Sequence, residues 1–129
     1  HELEMATMAH PLSKEDYESP NSVKVILNEK NEAIYFSRFP IPFSKLGPSS
    51  FPTTDAWKHI GIYGYTKKFL KRFCEHSVTT LEKSESLEQL RALAMGAKIK
   101  VVPTETATLG VDTPEDLKKV EKILQNLKR

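Results

Sequence analysis

The segment Leu109-Gly110-Val111-Asp112-Thr113-Pro114-Glu115-Asp116-Leu117 decides how the end of this chain folds, because it combines a loop with the start signals of a helix. Thr113 suits the N-cap, since its hydroxyl can accept a hydrogen bond from a backbone N–H that the first turn leaves unpaired. Pro114 suits the first helical position, where no N–H is needed. Asp116 stands where a capping box places an acidic side chain. The segment therefore predicts a helix that begins after Thr113.

Asp112 immediately precedes this helix and is not needed for its cap. A carboxylate that a loop presents at this point could bind a hard cation. It could equally serve only to cap or turn the chain, since capping residues are much commoner than metal ligands. The helix itself is predicted by apolar residues that recur at helical spacing: Leu117, Val120, Ile123, Leu124 and Leu127.

Length and composition indicate one small globular domain or part of a larger one. The chain has 129 residues, 39% apolar and 28% charged, which is enough for a modest core. A formal net charge of +2 is too small to indicate nucleic-acid or anionic-membrane binding. No apolar run approaches the roughly 20 residues of a membrane span. With Cys74 as its single cysteine the chain cannot form an internal disulfide, which suits a reducing compartment.

The rest of the chain alternates strand and helix patterns. Residues 5–10 indicate a strand, and residues 23–27 and 33–37 are rich in β-branched and aromatic residues around a polar turn, which predicts a hairpin. Residues 44–56 indicate a loop, and residues 57–65 a strand that leads into a helix capped by Thr66. The alternation predicts an α/β fold with a mixed sheet, a β-hairpin and two or three flanking helices.

Two further helical features follow from the spacing. Phe69, Leu70 and Phe73 form the apolar face of the helix after Thr66, and Cys74 is predicted to be buried among them. Residues 80–95 indicate one long helix that ends at a glycine, and a short strand at 99–103 follows it. The predicted core face of the long helix consists of Leu87, Leu90, Leu93 and Ala94.

Polar residues on two of these elements could form a binding site. In the strand at 57–65, alternation places His59 and Tyr63 on one face, and Gly61 and Gly64 suggest that a ligand or another backbone approaches closely. In the helix at 80–95, Glu85, Glu88 and Gln89 share a polar face. Two interpretations of that face remain open: a solvated edge on which Glu88 pairs with Arg91, or a row of hydrogen-bond acceptors for a polyol.

Five runs, taken in order, resemble the C-terminal half of the 3-deoxy-manno-octulosonate (Kdo) cytidylyltransferase family, the CMP-Kdo synthetases. The resemblance covers nearly the whole chain from Met5 onward. The runs are residues 20–25 (Pro-Asn-Ser-Val-Lys-Val), 35–42 (Tyr-Phe-Ser-Arg with Pro-Ile-Pro), 59–65 (His-Ile-Gly-Ile-Tyr-Gly-Tyr), 81–91 (Leu-Glu through Leu-Glu-Gln-Leu-Arg) and 110–117 (Gly-Val-Asp-Thr-Pro-Glu-Asp-Leu).

The resemblance implies a reaction and a setting. The family joins CTP and Kdo to make CMP-Kdo and pyrophosphate, with Mg²⁺, in the cytoplasm and for lipopolysaccharide synthesis. It also implies a Rossmann-like nucleotidyltransferase fold. A homodimer is expected as well, because half of such a sheet leaves an exposed edge and apolar faces.

The resemblance also implies roles for single residues. Asp112 matches the catalytic aspartate that binds Mg²⁺, and Arg38 matches a residue near the Kdo carboxylate. His59, Glu88 and Gln89 match positions that meet the sugar hydroxyls. Tyr63 joins this substrate-binding set only through its shared strand face with His59.

The family's N-terminal, nucleotide-binding half has no counterpart in these residues. Neither its phosphate-cradling loop nor its second metal-binding segment is found, because Gly61 and Gly64 lie in a strand pattern and Gly47 is followed by Pro48. Residues 1–129 are therefore expected to be the sugar-binding and dimerisation part of the domain, inactive alone. Two alternatives remain: a CMP-sialic acid synthetase relative, or a non-catalytic truncated module that only dimerises, for which the aromatic and proline segment 35–43 is suited.

Overall fold

The computed structural model describes residues 3–47, 56–106 and 108–128. The strands are β1 (Met5–Pro11), β2 (Lys24–Leu27), β3 (Ala33–Ser37), β4 (Ala56–Tyr65) and β5 (Ile99–Pro103). The helices are α1 (Lys14–Glu18), α2 (Lys67–Glu75), α3 (Thr80–Glu85), α4 (Gln89–Ala94) and α5 (Pro114–Leu127). Residues 48–55, most of the predicted loop at 44–56, lie outside the described part of the chain. No helix in the described ranges is long and apolar enough to cross a membrane.

The strands form one mixed sheet in the order β3-β2-β4-β1-β5. β1 and β5 run parallel, whereas β1 with β4, β4 with β2, and β2 with β3 are antiparallel. The predicted α/β fold with a mixed sheet and a β-hairpin is confirmed. Asn31 makes the hairpin turn possible, because asparagine tolerates its left-handed φ of 56° better than most residues do.

The two outer strands of the sheet meet at one corner. The hairpin turn contacts β5 through a bridge between Glu32 and Lys100, and the Val101 amide donates to the Asn31 carbonyl at 2.8 Å. Strand twist brings such edges around toward each other. The hairpin is therefore tied to the sheet at its turn as well as along β2.

A bulge interrupts the pairing of β1 with β4. Thr7 faces Tyr63, but its neighbour Met8 faces Ile60, so β4 carries two extra residues at this point. Gly61 is one of them. A Cβ atom added at Gly61, or at Gly64, would meet no atom within 4 Å. No backbone therefore occupies the space where the side chains of these glycines would be within the described structure, and the approach of a ligand stays a prediction.

The predicted long helix at 80–95 is wrong: it consists of two short helices, α3 and α4. The chain turns between them at Ser86, whose φ of 53° and ψ of 48° are left-handed and end α3. The turn brings Leu87 and Leu90 into the core, whereas Ala94, predicted to face the core, is exposed. A straight helix could not bury both the end of α3 and the face of α4 on the same sheet.

The apolar face of α2 is narrower than predicted. Phe69 and Phe73 are buried, but Leu70 is 41% exposed and Cys74 is exposed, so the prediction that Cys74 packs in the core is wrong. Each residue turns about 100° around the helix axis, and Cys74 therefore points away from the face that Phe73 defines.

The start of α5 follows the prediction. Thr113 is the N-cap, Pro114 opens the helix, and the reciprocal capping box between Thr113 and Asp116 is present. No residue of α5 is buried in the described structure. The apolar stripe is instead open, with four members between 43% and 77% exposed: Leu117, Ile123, Leu124 and Leu127.

Candidate functional site

His59 and Tyr63 lie on the same face of β4, as strand alternation predicts, and they belong to a row of rings. The ring centroids of Phe36 and His59 are 5.0 Å apart, those of His59 and Tyr63 5.4 Å, and those of Tyr63 and Tyr65 6.0 Å. Phe36 comes from β3, so the row joins residues of β3 and β4. The rings are tilted to one another, and the partly exposed rings of His59 and Tyr63 can each pack against the apolar face of a sugar ring.

His59 is neutral at physiological pH. Burial lowers its pKa from 6.5 to about 4, because the low-dielectric surroundings penalise the imidazolium. Its Nε2 lies 2.8 Å from the hydroxyl of Thr7 on β1. Nδ1 makes no hydrogen bond to another described residue and is the polar atom that a ligand can meet.

Glu88 and Gln89 begin α4 beside this row. Burial raises the pKa of Tyr63, and the neighbouring Tyr65 and the negative charge of Glu88 raise it further, which shows that Glu88 lies within electrostatic range of the ring row. Glu88 is exposed, whereas Gln89 is buried and its amide has no hydrogen-bond partner among the described residues. The structure thus brings Glu88 into the neighbourhood of Tyr63.

Arg38 follows β3 directly and holds the corner between α3 and α4. Its Nε donates to the Glu85 carbonyl at 2.9 Å, and its two terminal nitrogens donate to the carbonyls of Pro20 and Ser86, both at 3.3 Å. A guanidinium has five N–H groups, so two remain for a ligand. The predicted contact with a sugar carboxylate stays a prediction.

Glu85 is not part of a row of acceptors for a polyol, because its carboxylate is used inside the fold. It accepts from the Ser37 hydroxyl at 2.6 Å and from the Arg38 amide at 3.0 Å. The fully buried Lys24 supports the same corner. Its ammonium donates hydrogen bonds to the carbonyls of Ser19, Ser22 and Arg38, at 2.8, 2.6 and 2.6 Å. Sequence reasoning missed Lys24, although a lysine within an apolar strand was the available signal.

The predicted pairing of Glu88 with Arg91 is wrong, because Arg91 pairs with Glu82. Its Nε and a terminal nitrogen donate to the two carboxylate oxygens of Glu82 at 2.8 and 2.5 Å. The guanidinium also lies 4.7 Å from the centroid of the Phe73 ring. Glu88 is therefore left without an ion-pair partner in the described ranges.

Asp112 lies in the exposed loop before α5. Its backbone N–H donates to the carboxylate of Asp116 at 3.3 Å, and the Thr113 N–H donates to the same carboxylate at 3.2 Å. The carboxylate of Asp112 itself accepts no hydrogen bond from a described residue. No hydrogen bond, ion pair or ring contact within the described ranges joins Asp112 to His59, and no group of three or more potential metal ligands is found there.

Comparison with known proteins identifies the family. A family profile described as Cytidylyltransferase matches residues 1–99. The chain belongs to the cytidylyltransferase family. A 3-deoxy-manno-octulosonate cytidylyltransferase of Bdellovibrio bacteriovorus is 53% identical over 125 residues, which are 96% of this chain and 51% of the relative. One of Thermodesulfovibrio yellowstonii is 48% identical over 123 residues, covering 93% of this chain and 48% of the relative.

A solved cytidylyltransferase structure has the same fold. The CMP:2-keto-3-deoxy-manno-octonic acid synthetase complexed with CTP superposes with a TM-score of 0.85 at 35% identity, covering 96% of this chain and 50% of that one. The chain thus spans about half the length of the relatives it matches. These matches confirm the resemblance to the CMP-Kdo synthetases and the predicted fold class.

Proposed function

We propose that this chain supplies the sugar-binding half of a cytidylyltransferase that converts CTP and Kdo to CMP-Kdo and pyrophosphate, in the cytoplasm and for lipopolysaccharide synthesis. The observation that carries the proposal is the polar and aromatic cluster of His59, Tyr63 and Glu88 on and beside β4. The similarity to 3-deoxy-manno-octulosonate cytidylyltransferases supports Kdo as the sugar acid, rather than a sialic acid.

The cluster matches the chemistry of a sugar acid. The rings of His59 and Tyr63 can pack against the sugar ring, while Glu88 and the amide of Gln89 can bind its hydroxyls. Arg38 has two free N–H groups, which can grip a carboxylate in the paired geometry that guanidinium favours. We assign carboxylate binding to Arg38 and hydroxyl binding to His59, Glu88 and Gln89.

We assign Asp112 to Mg²⁺. Its carboxylate is exposed and accepts no hydrogen bond from a described residue, whereas that of Asp116 caps α5, so Asp112 is an oxygen ligand that this loop can offer. Mg²⁺ keeps several waters and needs few protein ligands, with phosphate oxygens and another carboxylate completing its shell. When bound, the ion offsets charge on the phosphates as the anomeric hydroxyl of the sugar attacks the α-phosphorus in line.

These 129 residues by themselves should not form CMP-Kdo, since nothing in their sequence resembles a phosphate-cradling loop to hold CTP in line. A second candidate function is a module that only dimerises. The exposure of Phe39 at 75% and Phe43 at 88%, in the aromatic and proline segment, favours it.

The test joins the portion of the Bdellovibrio relative that this chain does not match to the present chain. Pyrophosphate release from this fusion protein is measured with CTP and either Kdo or a sialic acid, beside the chain alone and the intact relative. We expect turnover with Kdo and none from the chain alone. Turnover only with the sialic acid would overturn the choice of substrate, and an inactive but folded fusion protein would favour the dimerisation module.

Arg38→Ala in the fusion protein tests the carboxylate assignment. The KM for Kdo should rise, while the KM for CTP stays nearly unchanged, because the guanidinium acts on the sugar alone. Arg72→Ala is the matched control, since Arg72 is half exposed and pairs with Glu4 away from the cluster. A defect specific to CTP in Arg38→Ala would contradict the assignment.

A further inference from the structure

Thr7 is almost completely buried and lies between His59 and the bulge of β4. Its hydroxyl oxygen is 2.8 Å from Nε2 of His59, 2.7 Å from the carbonyl oxygen of Ile62 and 3.2 Å from that of Ile60. Its side chain is thus surrounded by one imidazole nitrogen and two carbonyl oxygens. Thr7 is only 2% exposed, so water does not compete at this position.

The hydrogen-bond donors at this point can be counted. A hydroxyl has one hydrogen, and a carbonyl oxygen can only accept. At 2.7 Å from the Ile62 oxygen, the hydroxyl of Thr7 must donate there, because two oxygens without a hydrogen between them would repel. Nε2 of His59 must therefore carry a hydrogen and donate to Thr7. Because burial keeps the ring neutral, Nδ1 then carries no hydrogen and presents a lone pair.

We propose that Thr7 is a positioning residue that holds His59 in its Nε2–H tautomer, so that Nδ1 accepts a hydrogen bond from a sugar hydroxyl and does not bind the sugar carboxylate. The identity of the ligand rests on the proposed function, whereas the tautomer does not. In this arrangement, a hydrogen-bond donor and a hydrogen-bond acceptor contact different parts of the sugar acid. Arg38 can only donate and suits the carboxylate, and His59 accepts and suits a hydroxyl.

A purely structural role for Thr7 makes a different prediction. Its hydroxyl also bridges the two carbonyls of the bulge, so losing it could change stability without any effect on His59. Thr7→Val removes the hydroxyl at nearly constant shape, and Thr7→Ser keeps it. The state of the imidazole, and not stability, separates the two roles.

The experiment records ¹⁵N spectra of the imidazole groups in the labelled 129-residue chain at neutral pH. His59→Gln assigns the resonances of His59 among the four histidines. We expect the ratio of the Nε2–H to the Nδ1–H tautomer to lie about tenfold above that of a free histidine side chain, the factor that one hydrogen bond of about 1.4 kcal/mol gives. Thr7→Val should lose this increase and approach the ratio of the free side chain, while Thr7→Ser should retain it.

Two results would overturn the tautomer assignment. The first is a dominant Nδ1–H form in the unmodified chain, a measurement that does not depend on the folding of any variant. The second is an unchanged ratio in folded Thr7→Val.

The ligand assignment is tested in the fusion protein. There Thr7→Val should raise the KM for Kdo by at most about twofold, because the fraction of His59 in the accepting tautomer falls from about nine-tenths towards half, with the KM for CTP unchanged and Thr7→Ser near normal. An unchanged KM for Kdo would overturn the role toward the sugar. If the fusion protein shows no turnover with Kdo while the tautomer is as expected, the proposed function is refuted. The role of Thr7 in holding the imidazole would then still hold.

Discussion

Lys24, Arg38 and His59 each have half or more of their hydrogen-bonding groups engaged within the fold. All three N–H groups of Lys24 are bound to carbonyls, Arg38 holds three carbonyls with three of its five donors, and His59 uses Nε2 on Thr7. Within the described residues, these three side chains leave two N–H groups of Arg38 and Nδ1 of His59 for a ligand. Residue type alone would overstate what each side chain can offer.

The depressed pKa of His59 makes folding stability depend on pH. In the unfolded chain His59 binds a proton below about 6.5, while the folded protein resists that proton down to about 4. The unfolded state thus binds more protons in this window, so stability should fall as pH falls from 6.5 towards 4. The loss should reach at most about 3 kcal/mol, from 1.36 kcal/mol for each pKa unit.

Urea unfolding at pH 7, 6, 5 and 4.5 measures this loss. The quantity to compare is the difference between the unmodified chain and His59→Gln, because Asp16 and Glu82, whose pKa values are lowered, add their own pH dependence at the acidic end. The same slope in His59→Gln as in the unmodified chain would show that His59 is not buried neutral.

Asp112→Asn tests whether the carboxylate of Asp112 binds Mg²⁺. The change keeps the side-chain size but removes the charge that would hold Mg²⁺. In the fusion protein, CMP-Kdo formation should fall at least ~100-fold, roughly the 3 kcal/mol lost with one transition-state charge contact. Glu115→Gln, at an exposed carboxylate in the first turn of α5, is the control. Near-normal turnover in Asp112→Asn would refute the assignment.

At the scale of elements, the corner between α3 and α4 places the candidate site. Ser86 turns the chain, Arg38 holds the carbonyls on either side of the turn, and Glu88 then lies at the start of α4. The ion pair of Glu82 with Arg91 joins the two short helices behind this corner. The position of Glu88 beside β4 thus depends on contacts from three separate parts of the chain.

Breaking the ion pair of Glu82 and Arg91 should destabilise the fold. The side chains are only 9% and 13% exposed, so Glu82→Ala leaves a guanidinium unpaired in a nearly dry environment and should cost about 3 kcal/mol. The double variant with Arg91→Ala should lose less than the sum of the single losses, because the two side chains act as a pair.

Urea unfolding of the four chains in the cycle gives the coupling free energy. The exposed pair Lys71 and Glu75, 4.0 Å apart, is the matched control, with an expected coupling below about 0.5 kcal/mol. Equal coupling in the two pairs would mean that burial does not strengthen the pair between α3 and α4.

At the scale of the whole molecule, two segments leave apolar side chains exposed. They are the stripe on α5 and the aromatic and proline segment after β3, where Phe39 and Phe43 are exposed. Exposed apolar area of this extent commonly marks an interface. A second copy of the chain is the occupant that we expect.

Sedimentation at increasing protein concentration tests this association, and we expect a dimer. Phe43→Ser and Leu124→Ser, made separately, show which of the two surfaces takes part, since only the variant at the interface should shift the protein toward monomer. Both sites are exposed, so neither variant should alter stability by more than about 0.5 kcal/mol. A clean monomer of the unmodified chain at high concentration would contradict the prediction.

Features that depend on neighbouring residues could be predicted from the sequence. The start of α5 was predictable because Thr113, Pro114 and Asp116 act within one turn, and the hairpin was predictable from two runs of β-branched and aromatic residues around a polar turn. The shared face of His59 and Tyr63 followed from strand geometry, and the family followed from five ordered runs. The roles of Asp112 and Arg38 followed from the resemblance alone, and both stay predictions.

The long-range partner of each polar group became known only from the folded structure. Nothing near Ser86 in the sequence signals a break, because the turn is stabilised by Arg38, nearly fifty residues earlier. The choice of Glu82 over Glu88 by Arg91 depends on how two helices pack, and the bond of Thr7 to His59 depends on the register of two strands. Such pairings join residues far apart in the chain, so local patterns carry no information about them, and they set the tautomers and free donors on which chemistry depends.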